Sequence, residues 1–252
     1  MTTHPRFQDK RALVTGATRG LGRTIAQWLA REGADVYISG RDQRDVDRVI
    51  GELSAYGTTI WGSIADLTDV SQAHALAEMA LSVAGPLDIL VNNAGYSKPQ
   101  PFLDVSDADW DAEMAVNVHA PFVIGQHIAR AMIENRMPGR IVNISTIGTF
   151  AAHPLQAVYD IAKAGVQAMT RNMAHELAGY GITVNCVAPG AIPDRPGFDM
   201  TTWDPATFDI PIQRPGNADD IANAVCFFCQ DESSWVTGQT LLVDGGHIGY
   251  LK

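Results

Sequence analysis

Thr15-Gly16-Ala17-Thr18-Arg19-Gly20-Leu21-Gly22 follows directly on the apolar run Ala12-Leu13-Val14 and opens a segment in which Leu21, Ile25, Trp28 and Leu29 share one helical face. Glycines in such a turn can take positive φ and let the backbone approach a ligand closely. The helix that follows presents free N–H groups and the positive end of its dipole, which suits a pyrophosphate. The glycine order is not the common G-x-G-x-x-G. Outward from this turn, strand-like runs at 12–15, 35–39, 58–61, 87–91, 140–144, 183–187 and 240–243 alternate with helical spacing. Several of these runs are apolar at nearly every residue, as in strands buried on both faces. The expected fold is α/β: a doubly wound parallel sheet of about seven strands, with right-handed crossovers and helices on both faces.

The 252 residues carry 46% hydrophobic and 18% charged side chains, an ordinary globular composition. No linker or repeat divides them, so a single domain over 1–252 is expected. Lys and Arg number 18 against 28 Asp and Glu, a net charge of −10. No basic stripe is present to neutralise phosphates, which argues against a nucleic-acid partner. Three cysteines cannot all pair, and Cys226-Phe-Phe-Cys229 lies in an apolar helical run without a second ligand pair. Buried thiols and no metal site are therefore expected. The histidines other than His153, at His4, His74, His119, His127, His175 and His247, form no ligand pattern. Residues 1–10 have no apolar core of a signal, and no run of about 18 apolar residues occurs. A cytoplasmic protein that does not enter a membrane is the expectation.

Further motifs come in a fixed order: Asn92-Asn93-Ala94-Gly95 after the fourth strand, Ser145 after the fifth, Tyr159-x-x-x-Lys163 on the next helix, then Pro189-Gly190 and Val243-Asp244-Gly245-Gly246. With the T-G-x-x-x-G-x-G turn, they resemble the classical short-chain dehydrogenases/reductases over nearly the whole chain. The resemblance implies a Rossmann-type sheet and a nicotinamide cofactor. It implies cofactor contacts from Gly16, Thr18, Arg19, Gly20, Leu21, Gly22, Asn93, Ala94, Gly95, Tyr159, Lys163, Pro189, Gly190 and Ile192. Asp66-Leu67 matches the family's adenine-binding pair, although an Asp near a helix start is also an ordinary cap. Asn93 would brace the central strands.

Cofactor choice rests on the end of the second strand, where relatives that use NAD carry an acid. This chain reads Ser39-Gly40-Arg41, with no carboxylate before Asp42. Arg19 and Arg41 would offer two forked guanidinium groups to a 2′-phosphate. NADP is the expected cofactor, with NAD possible.

At the reacting centre, Tyr159 is the expected acid/base. A free phenol has a pKa of about 10, and Lys163, four residues on and hence on the same helical face, is expected to favour the phenolate. Ser145 would hydrogen-bond the substrate oxygen, and the resemblance gives Asn117 a place in a proton relay with the lysine. Two departures stand out. The family's threonine after Pro-Gly is replaced by Asp194, and Asp160 beside the tyrosine is unusual, expected to point to solvent.

Substrate contacts are expected by position from Tyr96, Ile147, His153, Gln156 and Ser145. A loop at about 190–215 adds Arg195, Phe198, Met200 and Trp203. The expected reaction interconverts a secondary alcohol and a ketone, or a sugar lactol and lactone, on a small polar polyhydroxy compound. A 3-oxoacyl thioester reductase is the alternative, and a catalytically silent dinucleotide sensor is the alternative of another class. Long helices at 107–135 and 155–178 would pack between subunits as a homotetramer or homodimer.

Overall fold

Seven strands, β1 (Arg11–Val14), β2 (Asp35–Gly40), β3 (Ile60–Ile64), β4 (Ile89–Asn92), β5 (Gly139–Ile144), β6 (Ile182–Pro189) and β7 (Thr240–Val243), form one sheet. This is a computed structural model that describes residues 5–193 and 209–248. The strand order is β3-β2-β1-β4-β5-β6-β7 and every neighbouring pair is parallel. The direction of winding reverses between β1 and β4. That reversal opens a crevice at the carboxyl ends of the strands, where ligands of such sheets bind.

Helices α1 (Gly20–Arg31), α2 (Gln43–Leu53), α3 (Val70–Ala84), α4 (Asp107–Met114), α5 (Ala120–Glu134), α6 (Ala157–Leu177) and α7 (Ala218–Cys229) cover the sheet. Alternate side chains of each strand feed opposite faces. Ala12, Val14 and Ile38 pack with Ile25, Leu29, Val46, Val225 and Phe228 of α1, α2 and α7. Leu13, Tyr37 and Leu90 pack on the other face with Leu76, Ala80, Ile124 and Ile128 of α3 and α5. Each fully buried Leu, Ile or Val contributes about 1.5–3 kcal/mol.

Two elements differ from their expected form. β3 lies two to three residues later than the apolar run 58–61, because Gly62 pairs with Ile38 of β2 and packs against Val46 of α2. The long helix expected over 107–135 is broken into α4 and α5 by a π-turn at Ala115–His119. Cys226 and Cys229 are buried free thiols, as expected, and so is Cys186. Arg195, Phe198, Met200 and Trp203, with Asp194, lie outside the described residues.

Candidate active site

The glycine turn sits at the mouth of the crevice. Gly16 has φ +63°, and a Cβ on it would lie 2.9 Å from Ala94 Cα, so both its conformation and its surroundings require glycine. Asn93 holds the turn against β4: its Nδ2 donates to Thr15 O at 2.9 Å and to Gly16 O at 3.1 Å. Thr15 Oγ1 accepts from the N–H groups of Asn93 and Ala94, each at 3.0 Å. α1 starts at Gly20 with no side-chain cap and no acid in its first turn. Its first N–H groups are thereby left for an anion rather than for a neighbouring side chain.

Beyond the turn, Asp42 caps α2, accepting from Arg44 N at 2.8 Å and Asp45 N at 3.2 Å. The first carboxylate after β2 is thus committed to its own helix. Arg19 and Arg41 are exposed, and neither guanidinium has an intramolecular partner among the described residues. Arg48, which sequence reasoning missed, ties α2 to the turn by donating to Thr18 O at 3.2 Å while pairing with Asp45 and Glu52. Gly40 lies against Thr18, and a Cβ on it would collide with Thr18 Cγ2. Asp66, an exposed residue, accepts through Oδ1 from Thr68 N and Oγ1 at 3.1 and 2.8 Å, closing a local turn. Leu67 is buried in the core.

The groups expected to react gather where β5 ends and α6 begins. Ser145 Oγ donates to Lys163 O at 3.1 Å and accepts from Gln167 Nε2 at 3.3 Å. Lys163 is 2% exposed, and its Nζ donates to Ile144 O at 2.9 Å. The ammonium stands 5.6 Å from the centre of the Tyr159 ring. Asn117, in the π-turn, donates through Nδ2 to Tyr96 O and Glu113 O at 2.6 and 2.9 Å and accepts from Tyr96 N at 3.2 Å. Gly95 fits between Asn117 and Lys163, its Cβ position 3.4 Å from Asn117 Oδ1. Burial, then the charges of Asp160 and Glu113, push the Tyr159 phenol up to about 12. Burial lowers Lys163 to about 8. Burial therefore dominates at Tyr159 in the chain by itself, with the neighbouring ammonium bonded to Ile144 O.

The chain matches the family model described as enoyl-(acyl carrier protein) reductase over residues 16–247. A relative from Thauera aromatica, (2S)-[(R)-hydroxy(phenyl)methyl]succinyl-CoA dehydrogenase subunit BbsD, is 39% identical over 95% of this chain and 97% of its own. The 3-oxoacyl-[acyl-carrier-protein] reductase FabG of Staphylococcus aureus is 37% identical over 94% and 97%. A solved structure from Beutenbergia cavernae, assigned as an NAD(P)-dependent gluconate 5-dehydrogenase and holding NADP, superposes with a TM-score of 0.90 at 33% identity, covering 98% of this chain and 100% of that one. This chain is a short-chain dehydrogenase/reductase. Members of this family bind NAD(P) and act on CH–OH or carbonyl groups of small molecules.

The short-chain dehydrogenase/reductase frame makes the loops around Tyr159 the informative part. Asp160 does not point to solvent: Oδ2 accepts from His153 N at 3.2 Å and Oδ1 lies 3.1 Å from His153 Nδ1. Gln156 Oε1 accepts from Ser97 Oγ, which joins the loop before α6 to the loop after β4. Ile147 is buried in the turn after Ser145, and Tyr96 is half-buried against the core. Arg195 lies outside the described residues. Pro189 ends β6, Gly190 donates to Val243 O at 2.9 Å, and Ile192 lines a cleft of about 350 Å³ beside Gly216, Asp220 and Asp244. Glu113 is a further group that sequence reasoning missed. It is 2% exposed, its Oε1 accepts from Lys98 N at 3.1 Å, and its Oε2 has no hydrogen-bond partner among the described residues. No cluster of three or more His, Cys, Asp or Glu suited to a metal occurs among the described residues.

Proposed function

We propose that this chain is an NADP(H)-dependent oxidoreductase that interconverts a secondary alcohol and a ketone, or a sugar lactol and lactone, on a small polar polyhydroxy substrate. The observation that carries the chemistry is Tyr159 set one helical turn above the buried ammonium of Lys163, with Ser145 at the end of the adjoining strand. The nicotinamide, when bound, supplies or accepts the hydride. Tyr159 gives its proton to the substrate oxygen in reduction and takes it back in oxidation. Ser145 Oγ turns from Lys163 O to hold that oxygen. Lys163 holds positive charge beneath the phenol, and Asn117 fixes the wall formed by Gly95 and Tyr96. Tyr159→Phe should abolish turnover and leave cofactor binding nearly intact. More than a few per cent residual activity overturns the assignment.

The cofactor reading rests on Asp42. With that carboxylate engaged as a cap, nothing acidic is left at the end of β2 to accept from a ribose, while Arg19 and Arg41 stand free for a 2′-phosphate. Gly16, Thr18, Gly20, Leu21 and Gly22 would hold the pyrophosphate, Asp66 and Leu67 the adenine, and Asn93, Ala94, Gly95, Pro189, Gly190 and Ile192 the wall along the nicotinamide. A comparison of kcat/KM with NADPH and NADH tests this, and a strong preference for NADH overturns it.

A second reading, reduction of a 3-oxoacyl thioester, is favoured by the named activities of the relatives from Thauera aromatica and Staphylococcus aureus. Assay with acetoacetyl-CoA beside polyols and hydroxyketones decides between the two. A silent sensor is disfavoured by the presence of Ser145, Tyr159 and Lys163 together. We place residues 1–252 in one domain, since one sheet runs from Arg11 to Val243. A homotetramer or homodimer is supported by exposed Trp110, Phe122 and Ile161 on α4, α5 and α6 and by Trp235 and Leu241 near the β7 edge. Solution light scattering showing only monomer overturns that. Unpaired, buried thiols suit the reducing cytoplasm.

A further inference from the structure

We infer that His153 selects substrate by accepting a hydrogen bond from a hydroxyl other than the reacting one, with Asp160 as the positioning residue that makes it an acceptor. The inference rests on the proposed carbonyl chemistry at Tyr159. Asp160 follows Tyr159 on α6, and both of its oxygens are engaged by a single residue, at 3.2 Å from His153 N and 3.1 Å from Nδ1. A carboxylate has only lone pairs to offer, so the proton between them sits on Nδ1. When the ring is neutral it carries that one proton, and Nε2 is then left as a bare acceptor.

Nε2 has no partner among the described residues, and the side chain is 34% exposed against 15% for Asp160. The ring is held in place as well as polarised. Gly148 packs against both Asp160 Oδ1 and His153 Nδ1, with no room for a Cβ. The backbone bond from His153 N pins the loop at the same carboxylate. This loop leaves β5 at Ser145 and re-enters the helix before Tyr159, and the Asp160 that holds His153 lies close enough to Tyr159 for its charge to act on the phenol.

Gln156 completes the pattern. Its Oε1 is occupied by Ser97 Oγ, which leaves its amide nitrogen as a donor. A fixed acceptor and a fixed donor on one short loop match a hydroxyl that both gives and takes a hydrogen bond. An acceptor nitrogen gains nothing from an alkyl chain or a thioester sulfur. The class selected is therefore an α-hydroxyketone and the vicinal diol it reduces to.

The test compares 3-hydroxybutan-2-one with butan-2-one, one carbon skeleton with and without the second hydroxyl, using NADPH and the full-length protein. The wild type should prefer the hydroxyketone in kcat/KM by about tenfold, the size of one hydrogen bond. In His153→Phe and Asp160→Ala that ratio should fall to near one, through the KM for the hydroxyketone rather than through kcat. His153→Gln, which keeps an acceptor oxygen, should restore part of the ratio. 15N NMR of the 7 histidines, with His153 assigned by its loss in His153→Phe, should show its Nδ1-protonated tautomer in the wild type and its loss in Asp160→Ala. Equal losses on both ketones, no wild-type preference, or an Nε2-protonated His153 overturns the inference. Reduction of butan-2-one without preference leaves the proposed reaction standing and removes only the role of His153. Failure to turn over either ketone, acetoacetyl-CoA and a panel of polyols and sugar lactols overturns the proposed reaction itself.

Discussion

Asn117 clasps the backbone of Tyr96 from both sides, donating to its carbonyl at 2.6 Å and accepting from its N–H at 3.2 Å. The amide lies in the π-turn that separates α4 from α5, and its third bond, to Glu113 O, satisfies a carbonyl within that interrupted stretch. Asn117→Ala leaves three backbone groups without partners in a region 1% exposed at that side chain. The expected cost is about 2–3 kcal/mol by denaturant titration, and turnover should fall more than tenfold as the Gly95–Tyr96 wall loosens.

Lys163 gives a pH signature of stability. Its folded pKa of about 8 lies below the unfolded value of 10.5, so the fold carries a buried charge at neutral pH and is relieved of it as pH rises from about 8 to 10.5. The shift corresponds to about 3 kcal/mol. Lys163→Met removes that penalty and loses the bond to Ile144 O, worth about 1 kcal/mol. Lys163→Met should lose turnover with cofactor present, while its cofactor-free form should be about 2 kcal/mol more stable than cofactor-free wild type at pH 7. The advantage should vanish by about pH 10 in thermal melts across that range.

Burial raises the carboxyl of Glu113 above its ordinary range. For an acid the sign runs opposite to that of Lys163: full stability is present below the unfolded pKa and is lost as pH rises through the folded one. Glu113→Gln should raise Tm by a few degrees at pH 8 and by little at pH 4. Because the Glu113 charge also disfavours the Tyr159 phenolate, the acid limb of alcohol oxidation should move to lower pH in the same variant.

On the proposed NADP reading, Arg19 and Arg41 set the cofactor preference. The double change to Ala should raise the KM for NADPH by about tenfold to a hundredfold, the range of one or two charge-assisted bonds, and alter the KM for NADH little. Steady-state kinetics with both cofactors reads the split directly.

The fold was legible because its signals are local. Runs such as Ile89-Leu90-Val91 are apolar throughout, and the glycine turn lies next to β1. The positions of Ser145, Tyr159 and Lys163 followed from the order of motifs. Asp160 was misread because only the tertiary bond to His153 turns it inward. The π-turn could not be read, since its key bond reaches from Asn117 back to Tyr96. Glu113 could not be singled out, for an acid in mid-helix carries no mark of burial. The Asp42 cap was readable, as an Asp just ahead of a helical pattern is a standard N-terminal signal.

The close fit of Gly40 against Thr18 constrains how this enzyme's cofactor use can change. A carboxylate placed at Gly40, the shortest route to a grip on an unphosphorylated ribose, starts with a Cβ that collides with the Thr18 methyl and lies 3.2 Å from Val46 Cγ2. A lone Gly40→Asp step therefore passes through a strained protein that serves neither cofactor well. Trimming Thr18 to Ser first opens the space, so a chain that uses NADP as proposed would reach NAD only by a two-step path with an obligatory order.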